Sequence, residues 1–237
     1  MIPSSFEHNT FSQSLSMKRC FKYRKKILEI SQKVAALHVA PAFSCLEIVD
    51  FIYHGLLRSS NKSKDFKDYF IMSKGHGCLS QYVVLEDLSV LNSDDLEKYC
   101  KKGGILGAHP DRGNPGILAS TGSLGHGLGI SVGMSYAEKI KNTDANIYVL
   151  LSDGELQEGS SWEAAMMASN LKLSSLISFV DLNDFGGMDR MSTNHPEFYP
   201  IEDKFISFGW EVSTVNGHDV KEMKKAINNR NGKNHLL

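Results

Sequence analysis

Asp153 and Asn183 are the two side chains of this sequence best suited to hold a metal ion. A carboxylate and a carboxamide supply hard oxygen ligands, and protein-bound Mg²⁺ is usually shared between one or two carboxylates and phosphate oxygens. Gly154 follows Asp153 in an apparent turn, and a predicted helix begins shortly afterwards, near Gly159. Because the amino end of a helix attracts negative charge, the pair predicts a site for a metal-bound diphosphate.

The segment that positions this pair, residues 146–183, has the pattern of a strand, a turn, a helix and a second strand. Two apolar runs, residues 146–152 and 176–180, flank a stretch of helical spacing whose predicted inner face is Trp162, Ala165, Met166 and Ser169. A βαβ unit of this kind has parallel strands, and ligands of parallel sheets bind beyond the carboxyl ends of the strands. We therefore expect Asp153 and Asn183 to face one crevice.

Three histidines, His38, His76 and His109, lie in three separate predicted loops. Imidazole titrates near neutral pH, which suits it to proton transfer in catalysis. His76 lies in the sequence SKGHG, after a predicted strand at residues 68–72 and before a helix that we expect to continue to about Leu91. Glycines in such a turn let the backbone approach a phosphate, which favours an anion site there. A structural role is the alternative for His38.

Other helices are predicted from their caps and spacing. One begins at Met17, and a second runs from near Cys45 to about Leu57 behind a capping box formed by Ser44 and Glu47. Further helices are expected after a cap at Ser93, over residues 127–141 and after a cap at Asp219, with a strand at residues 211–215 before the last of them.

Lys74 is expected either to offset phosphate charge or to form an ion pair with a neighbouring loop.

The sequence DGELQEG, followed at the right distance by Asn183, resembles the thiamine-diphosphate motif, which begins with GDG and ends with Asn. Ser152 replaces the first glycine of that motif. SKGH, AHPD and TGSLGHG are each similar to transketolase sequences, and the last of these lacks the GxGxxG spacing of a dinucleotide-binding loop. The resemblance covers roughly residues 24–227 and is greatest for the N-terminal subunit of transketolases that are split into two chains.

This resemblance implies that the chain binds thiamine diphosphate together with Mg²⁺, or with Ca²⁺ or Mn²⁺ in its place. It implies metal ligands at Asp153, Asn183 and the backbone carbonyl of Phe185. It also implies catalytic roles for His38, His109 and Glu158. The implied contacts to the cofactor come from His76, Gly122, Ser123, Leu124, Gly154, Glu155 and Asn183.

Three departures from the family pattern affect the expected pocket. The residues around His38 are Leu37, Val39 and Ala40, where the family has glycine, proline and glycine. His126 replaces a glutamine, and the stretch of residues 186–189 carries an extra residue. The first two departures leave room for a substrate other than the common pentose phosphates.

The activity implied by the resemblance is transfer of a two-carbon ketol unit from a ketose, or a ketose phosphate, to an aldose. The pyrimidine-binding domain that carries the activating glutamate in this family has no counterpart in the sequence. We therefore expect the chain to be active only with a partner, the C-terminal pyrimidine-domain subunit, in an α₂β₂ heterotetramer. Glu158 matches the family's glutamate at the interface with that partner.

Other functions stay open on the sequence alone. The chain could be a different thiamine-dependent ketol or acyl transferase, similar to deoxyxylulose-phosphate synthase or acting on a modified sugar. The α chain of a 2-oxoacid dehydrogenase is disfavoured by SKGH, AHPD and TGSLGHG. A non-catalytic cofactor-binding subunit is disfavoured by the presence of Asp153, Glu158 and Asn183 together.

The composition predicts one globular domain, since the 237 residues are 41% hydrophobic and 22% charged. The expected fold class is α/β, a three-layer α/β/α arrangement with a mainly parallel sheet. Residues 1–16 are expected to be flexible, and residues 17–237 to form the binding domain, without the strand and glycine-rich segment that end it in the family.

The charge and the cysteines narrow the setting. A net charge of −1 disfavours nucleic acid as a partner. The sequence has neither the apolar core of a signal peptide nor an apolar run long enough to span a bilayer. Four scattered cysteines without a CxxC pair favour a reduced, cytoplasmic protein.

Overall fold

The computed structural model describes residues 11–34, 38–59, 66–187 and 189–231, together with the backbone of residues 235–236. Five parallel strands form its central sheet: β1 (Tyr69–Met72), β2 (Ile147–Ser152), β3 (Leu176–Asp181), β6 (Glu211–Val212) and β7 (His235–Leu236). Their spatial order is β1-β2-β3-β7-β6. A two-stranded antiparallel hairpin, β4 (Phe185–Gly186) and β5 (Asp189–Arg190), lies apart from this sheet.

Helices cover both faces of the sheet. In chain order those of the described residues are α1 (Gln13–Ser31), α2 (Val39–Ser44), α3 (Leu46–Phe51), α4 (Cys78–Asp87), α5 (Ser93–Glu97), α6 (Gly127–Ile140), α7 (Gly159–Asn170), α8 (Met191–Asn194), α9 (Ile201–Ser207) and α10 (Val220–Asn228). A π-helical turn, Ile52–Leu56, extends α3. Among the residues that the structure describes, no helix is long and apolar enough to cross a membrane.

Alternate residues of β2 face opposite sides of the sheet, as the pleat of a strand requires. Tyr148 and Leu150 pack in a core with α1 to α4 and α10. Ile147, Val149 and Leu151 pack in a second core with α6, α7 and α9. The predicted three-layer α/β/α class is therefore confirmed, and burial on both faces explains why the strands are continuous apolar runs.

The βαβ segment forms as predicted. β2 and β3 are parallel neighbours, with Ile147 opposite Leu176 and Ser152 opposite Asp181. α7 joins them, although its buried residues are Ser161, Ala164, Ala165 and Ala168. The predicted inner face was therefore partly wrong: Met166 is 42% exposed, because the small residues on the neighbouring face let α7 approach the sheet closely.

Several boundaries were wrong at the N-terminal side. α1 begins at Gln13, four residues before the expected Met17, and the hydroxyl of Ser12 accepts a hydrogen bond from the Leu15 amide. Residues 1–10 lie outside the described part of the chain. α4 ends at Asp87, earlier than the expected Leu91, and the cap of α5 is Asn92, one residue before the expected Ser93.

The predicted capping box at Ser44 and Glu47 is also wrong. Residues 39–44 are already helical, and a break at Cys45 separates them from α3. The Ser44 hydroxyl donates to Asp181, and Glu47 accepts from Arg24. Both side chains therefore bond to distant residues and not to the backbone at the start of α3.

At the C-terminal side one cap and one helix are confirmed, and the strands differ. The Asp219 carboxylate accepts from two amides at the start of α10, as predicted. The strand expected over residues 211–215 ends at Val212. A further strand, β7, lies between β3 and β6. The sequence analysis did not predict a strand at these residues.

Candidate active site

His76, Asp153 and Asn183 follow the carboxyl ends of β1, β2 and β3, and Asp153 lies at the end of the middle strand of the three. Asp153 is fully buried. Its Oδ1 accepts the Gly154 amide at 2.9 Å, and its Oδ2 accepts the Asp184 amide at 2.6 Å and the Tyr199 hydroxyl at 3.3 Å. Burial raises the pKa of Asp153, although these hydrogen bonds oppose the shift. Asp153 thus fixes the start of the loop that follows β3.

That loop brings the other two expected metal ligands to the same corner. The Asn183 Oδ1 accepts the Phe185 amide at 2.9 Å, which closes a tight turn. A Cβ added to Gly154 would lie 3.6 Å from the Phe185 carbonyl oxygen, so the carbonyl lies next to the residue that follows Asp153. A carboxylate, a carboxamide and a carbonyl are the donor set that suits Mg²⁺.

Histidine, cysteine and acidic side chains alone do not make a metal centre here. Within residues 11–34, 38–59, 66–187 and 189–231, no group of three or more of them could hold an ion. Of the donors Asp153, Asn183 and the Phe185 carbonyl, only Asp153 carries a charge. The three therefore fit a divalent ion whose remaining charge and coordination sites are satisfied by the oxygens of a bound ligand.

The three predicted histidines converge. The ring centroid of His38 lies 5.5 Å from that of His109 and 6.0 Å from that of His76. Burial, with smaller effects of Lys74 and His38, lowers the pKa of His76 to about 4. Desolvation and then the neighbouring His109 lower the pKa of His38. His76 is therefore neutral at pH 7, the neutral form of His38 is favoured, and each ring can accept a proton or donate its N–H.

Lys74 does not face the crevice. Its ammonium is buried and forms an ion pair with Asp181, and it also donates to the Pro41 carbonyl at 3.3 Å. The other Asp181 oxygen accepts the Ser44 hydroxyl at 2.8 Å. Of the two roles expected for Lys74, the structure has the ion pair, which connects α2, next to His38, with the end of β3. Leu37 lies outside the described residues.

The glycine-rich loop, residues 121–127, packs directly on the turn that carries His76, residues 73–77. The Thr121 hydroxyl donates to the Met72 carbonyl at 2.5 Å. A Cβ on Gly75 would collide with the Thr121 carbonyl, so only glycine permits this approach. A Cβ on Gly122 would lie 3.4 Å from the His109 ring, which places this part of the loop beside the histidines.

The other residues that the sequence singled out differ in their exposure. Gly122 and Ser123 are exposed and Leu124 is half-buried, so their surface is open to a ligand. Glu158 is exposed at the start of α7. Gly154 is half-buried at the turn after β2, and His126 is exposed at the start of α6.

Glu155 differs from the other residues expected to contact the cofactor. It is fully buried, and its Oε1 accepts hydrogen bonds from the Ser73 hydroxyl and the Gly125 amide. Its carboxylate therefore lies beneath the two loops.

Asp181 and Tyr199 are the polar residues of the site that sequence reasoning missed. Asp181 is a buried carboxylate two positions before Asn183, and that position at a strand end was the available signal. Tyr199 lies in the long loop of residues 182–199, and no spacing relates it to Asp153.

Comparisons with known proteins show the family of the chain. The family model described as "Transketolase, thiamine diphosphate binding domain" matches residues 20–235. An apulose-4-phosphate transketolase subunit of Phocaeicola vulgatus is 37% identical over 224 residues, which cover 91% of this chain and 78% of the relative. The 6-deoxy-6-sulfo-D-fructose transketolase subunit SqwG of Clostridium sp. (strain MSTE9) is 34% identical, with 86% and 75% covered.

A solved structure extends the comparison to the fold. Transketolase from Campylobacter jejuni superposes with a TM-score of 0.84 at 28% identity, over 95% of this chain and 37% of that one. The chain therefore spans about a third of the length of that transketolase. These similarities confirm the resemblance predicted from DGELQEG, SKGH, AHPD and TGSLGHG.

Proposed function

Because the chain belongs to the family of transketolase thiamine diphosphate-binding domains, we propose that it is the diphosphate-binding subunit of a transketolase-type enzyme. The enzyme transfers a two-carbon ketol unit from a ketose or ketose phosphate to an aldose. The observation that carries this proposal is the corner at the end of β2, where the Asp153 carboxylate, the Asn183 turn and the Phe185 carbonyl meet. The binding domain begins at Gln13 in this proposal.

In this corner Asp153, Asn183 and the Phe185 carbonyl hold Mg²⁺, or Ca²⁺ or Mn²⁺. His76 is neutral and half-buried, and it donates an N–H to the diphosphate. Thiamine diphosphate supplies the carbon nucleophile for breaking and making carbon–carbon bonds. Gly122 and Ser123 are exposed and would be available to contact it.

His38 and His109 act on the substrate. Their rings are neighbours, and the lowered pKa of His38 favours its neutral form at pH 7. A neutral imidazole can take a proton from a substrate hydroxyl and return it to a carbonyl oxygen, which general acid–base catalysis requires. The relatives' names state that they act on sugar derivatives, which supports a sugar or sugar phosphate as substrate.

A partner chain completes the active site. Several relatives are named as one subunit of a transketolase, which supports a second polypeptide, and we assign this role to a pyrimidine-domain chain in an α₂β₂ heterotetramer. Glu158 is exposed, and we assign it to the contact with this partner. The outer surface of α6 and α7 also suits a protein contact, since Ile140 is 67% and Met167 52% exposed and a Cβ on Gly129 would meet no atom within 4 Å.

The cytoplasm is the proposed location. All four cysteines are free thiols, and three of them are buried, which suits a reducing compartment. The comparisons give no support to another thiamine-dependent activity or to a non-catalytic subunit.

The test is calorimetric titration of thiamine diphosphate with Mg²⁺ into the chain, with and without a candidate pyrimidine-domain partner. We expect metal-dependent binding that tightens with the partner and is lost in Asp153→Ala. Asp144→Ala is the matched control, because Asp144 is an exposed carboxylate just before β2, at the opposite edge of the sheet. Absence of binding in every wild-type condition would contradict the proposal, and so would ketol transfer by the chain alone.

A further inference from the structure

The carboxylate of Glu155 lies where three segments meet, and the proposed chemistry makes no use of it. Its Oε1 accepts from the Ser73 hydroxyl, in the turn before His76, and from the Gly125 amide at 2.9 Å, in the glycine-rich loop. The Glu155 amide donates to the Ser152 hydroxyl at the end of β2. Its second oxygen, Oε2, is buried and has no hydrogen-bond partner among the described residues.

The two loops are in close contact around this carboxylate. A Cβ on Gly127 would collide with the Ser73 side chain, and the Thr121 hydroxyl is bonded to the Met72 carbonyl. On the other side, the Ser160 hydroxyl donates to the Gly125 carbonyl at 2.9 Å. Gly125 is therefore held through its amide by Glu155 and through its carbonyl by α7.

We propose that Glu155 is a positioning residue that fixes the glycine-rich loop against the turn carrying His76. It thereby sets the separation between His76 and the exposed backbone at Gly122 and Ser123, the two surfaces between which the cofactor lies. This inference rests on the proposed function, because the separation matters for activity only if thiamine diphosphate binds there. It assigns Glu155 an effect through the loops, in place of the direct contact that the family resemblance implied.

The hydrogen-bond pattern states what the position requires. Both donors converge on Oε1, and a carbonyl-type oxygen has two lone pairs with which to accept them. Oε2 has no bond to lose. The position therefore needs an acceptor oxygen at the reach of a glutamate side chain, and the charge is dispensable. Glutamine keeps the reach without the charge, whereas aspartate keeps the charge and loses the reach.

The experiment compares Glu155→Gln with Glu155→Asp in the full chain, by amide hydrogen exchange without ligand and by titration of thiamine diphosphate with Mg²⁺, with the partner present. In Glu155→Asp we expect faster exchange over residues 121–127 and a Kd about tenfold higher, because two hydrogen bonds to a buried acceptor are lost. In Glu155→Gln we expect both values to stay within about threefold of wild type. Ser73→Ala, which removes one donor, should give an intermediate change and serves if Glu155→Asp does not fold.

Asp68→Asn is the matched control. Asp68 is a buried carboxylate bonded to Arg58 at the opposite, amino edge of the same sheet. Its substitution should lower the melting temperature and leave both the loop exchange and the cofactor Kd unchanged. A general loss of stability would instead move all three readouts together.

Two results would overturn the inference. One is aspartate restoring both readouts better than glutamine, which would mean that the charge matters and the reach does not. The other is unchanged exchange over residues 121–127 in folded Glu155→Asp and Ser73→Ala. If the wild type bound no cofactor, the proposed function would fail, while the exchange measurement would still decide whether Glu155 holds the loop.

Discussion

Two of the regions in which the described chain buries carboxylates compensate their charge in different ways. The first, which we call the α1 cluster, joins basic residues of α1 to acidic residues of α3 and α4: Arg19 with Asp50, Arg24 with Glu47, and Lys22 with Asp87. The second, the crevice, is formed by His38, His76, Asp153 and Glu155 at the carboxyl edge of the sheet.

In the α1 cluster each carboxylate has an opposite charge beside it. Burial alone would raise the pKa of Glu47, but hydrogen bonds from Arg24 and His218 hold it below its usual value. Burial likewise opposes the effect of Lys22 and Tyr23 on Asp87, whose pKa is also lowered. Arg19, Lys22 and Arg24 of α1 are therefore paired within the chain.

In the crevice the balance is reversed. Burial raises the pKa of both Asp153 and Glu155, because hydrogen bonds from neutral groups do not offset the desolvation. Burial lowers the pKa of His76, and its neighbour Lys74 acts in the same direction. The ionised forms of these groups therefore do not stabilise the fold, although their hydrogen bonds hold the surrounding loops. A divalent cation beside Asp153 would favour its carboxylate form, and a diphosphate beside His76 would accept an N–H from the ring.

Breaking the α1 cluster should have the largest effect on the fold. Asp50→Asn leaves the Arg19 guanidinium without its buried partner, which lies at 2.6 Å, and weakens the bond from Ser16. We expect the free energy of unfolding to fall by about 3 kcal/mol, measured by urea denaturation. Glu29→Gln is the control: its pair with Lys25 is exposed and 4.0 Å long, so the loss should stay below about 0.5 kcal/mol. Weaker cofactor binding in folded Asp50→Asn would show that the α1 cluster also affects the cofactor site, and would contradict this distinction between the two regions.

Asp153→Asn should give the opposite pattern. The raised pKa of Asp153 means that its ionisation does not stabilise the fold. The NH2 group of asparagine would, however, face one of the backbone amides that now donate to Asp153, so we expect the unfolding free energy without metal to fall by about 1–2 kcal/mol. Affinity for Mg²⁺ with thiamine diphosphate should fall by about a hundredfold, because the only charged donor is lost. Both values come from denaturation and calorimetry of the same preparation. Strong destabilisation with normal binding would refute the contrast.

The crevice should also determine part of the acid sensitivity. The pKa of His76 is about 4 in the folded chain, against a usual value of 6.5. The unfolded chain therefore binds the proton more readily between these pH values, and the free energy of unfolding falls as pH falls from 6.5 towards 4. His76→Asn should reduce the loss between pH 7 and pH 5 by about 1 kcal/mol.

The comparison is made from urea titrations at the two pH values, with the exposed His195→Asn as control. His54, whose pKa burial also lowers to about 4, retains a contribution of the same sign, so some acid sensitivity should persist. An unchanged pH dependence in His76→Asn would show that this histidine is not desolvated as the structure has it.

The central βαβ segment was predictable because its signals are local. β2 and β3 are short apolar runs bounded by polar residues, and the apolar residues of α7 between them recur at helical spacing. Asp153 and Asn183 come directly after these strands, so their meeting at one edge follows from parallel topology. The convergence of the three histidines depended on the family motifs, since nothing in their spacing relates them.

The hydrogen-bond network of the crevice was not predictable, because its bonds connect residues far apart in sequence. Lys74 is 107 positions from Asp181, and Ser44 is 137 positions from it. Glu155 was expected to contact the cofactor, and only the fold shows that it lies beneath two loops. Local rules fail in the same way at Ser44 and Glu47, where distant partners replace the predicted cap.

The smallest expected effect tests the boundary between the two regions. Ser44 is bonded to Asp181 at the end of β3, next to the crevice, whereas Glu47, three residues later, belongs to the α1 cluster through Arg24. A capping box would couple the two side chains energetically, and the observed contacts give them no shared partner. In a double-mutant cycle of Ser44→Ala and Glu47→Gln, measured by urea denaturation, the two losses should add to within about 0.5 kcal/mol. A coupling of about 1 kcal/mol or more would restore the capping box and join the two regions into one network.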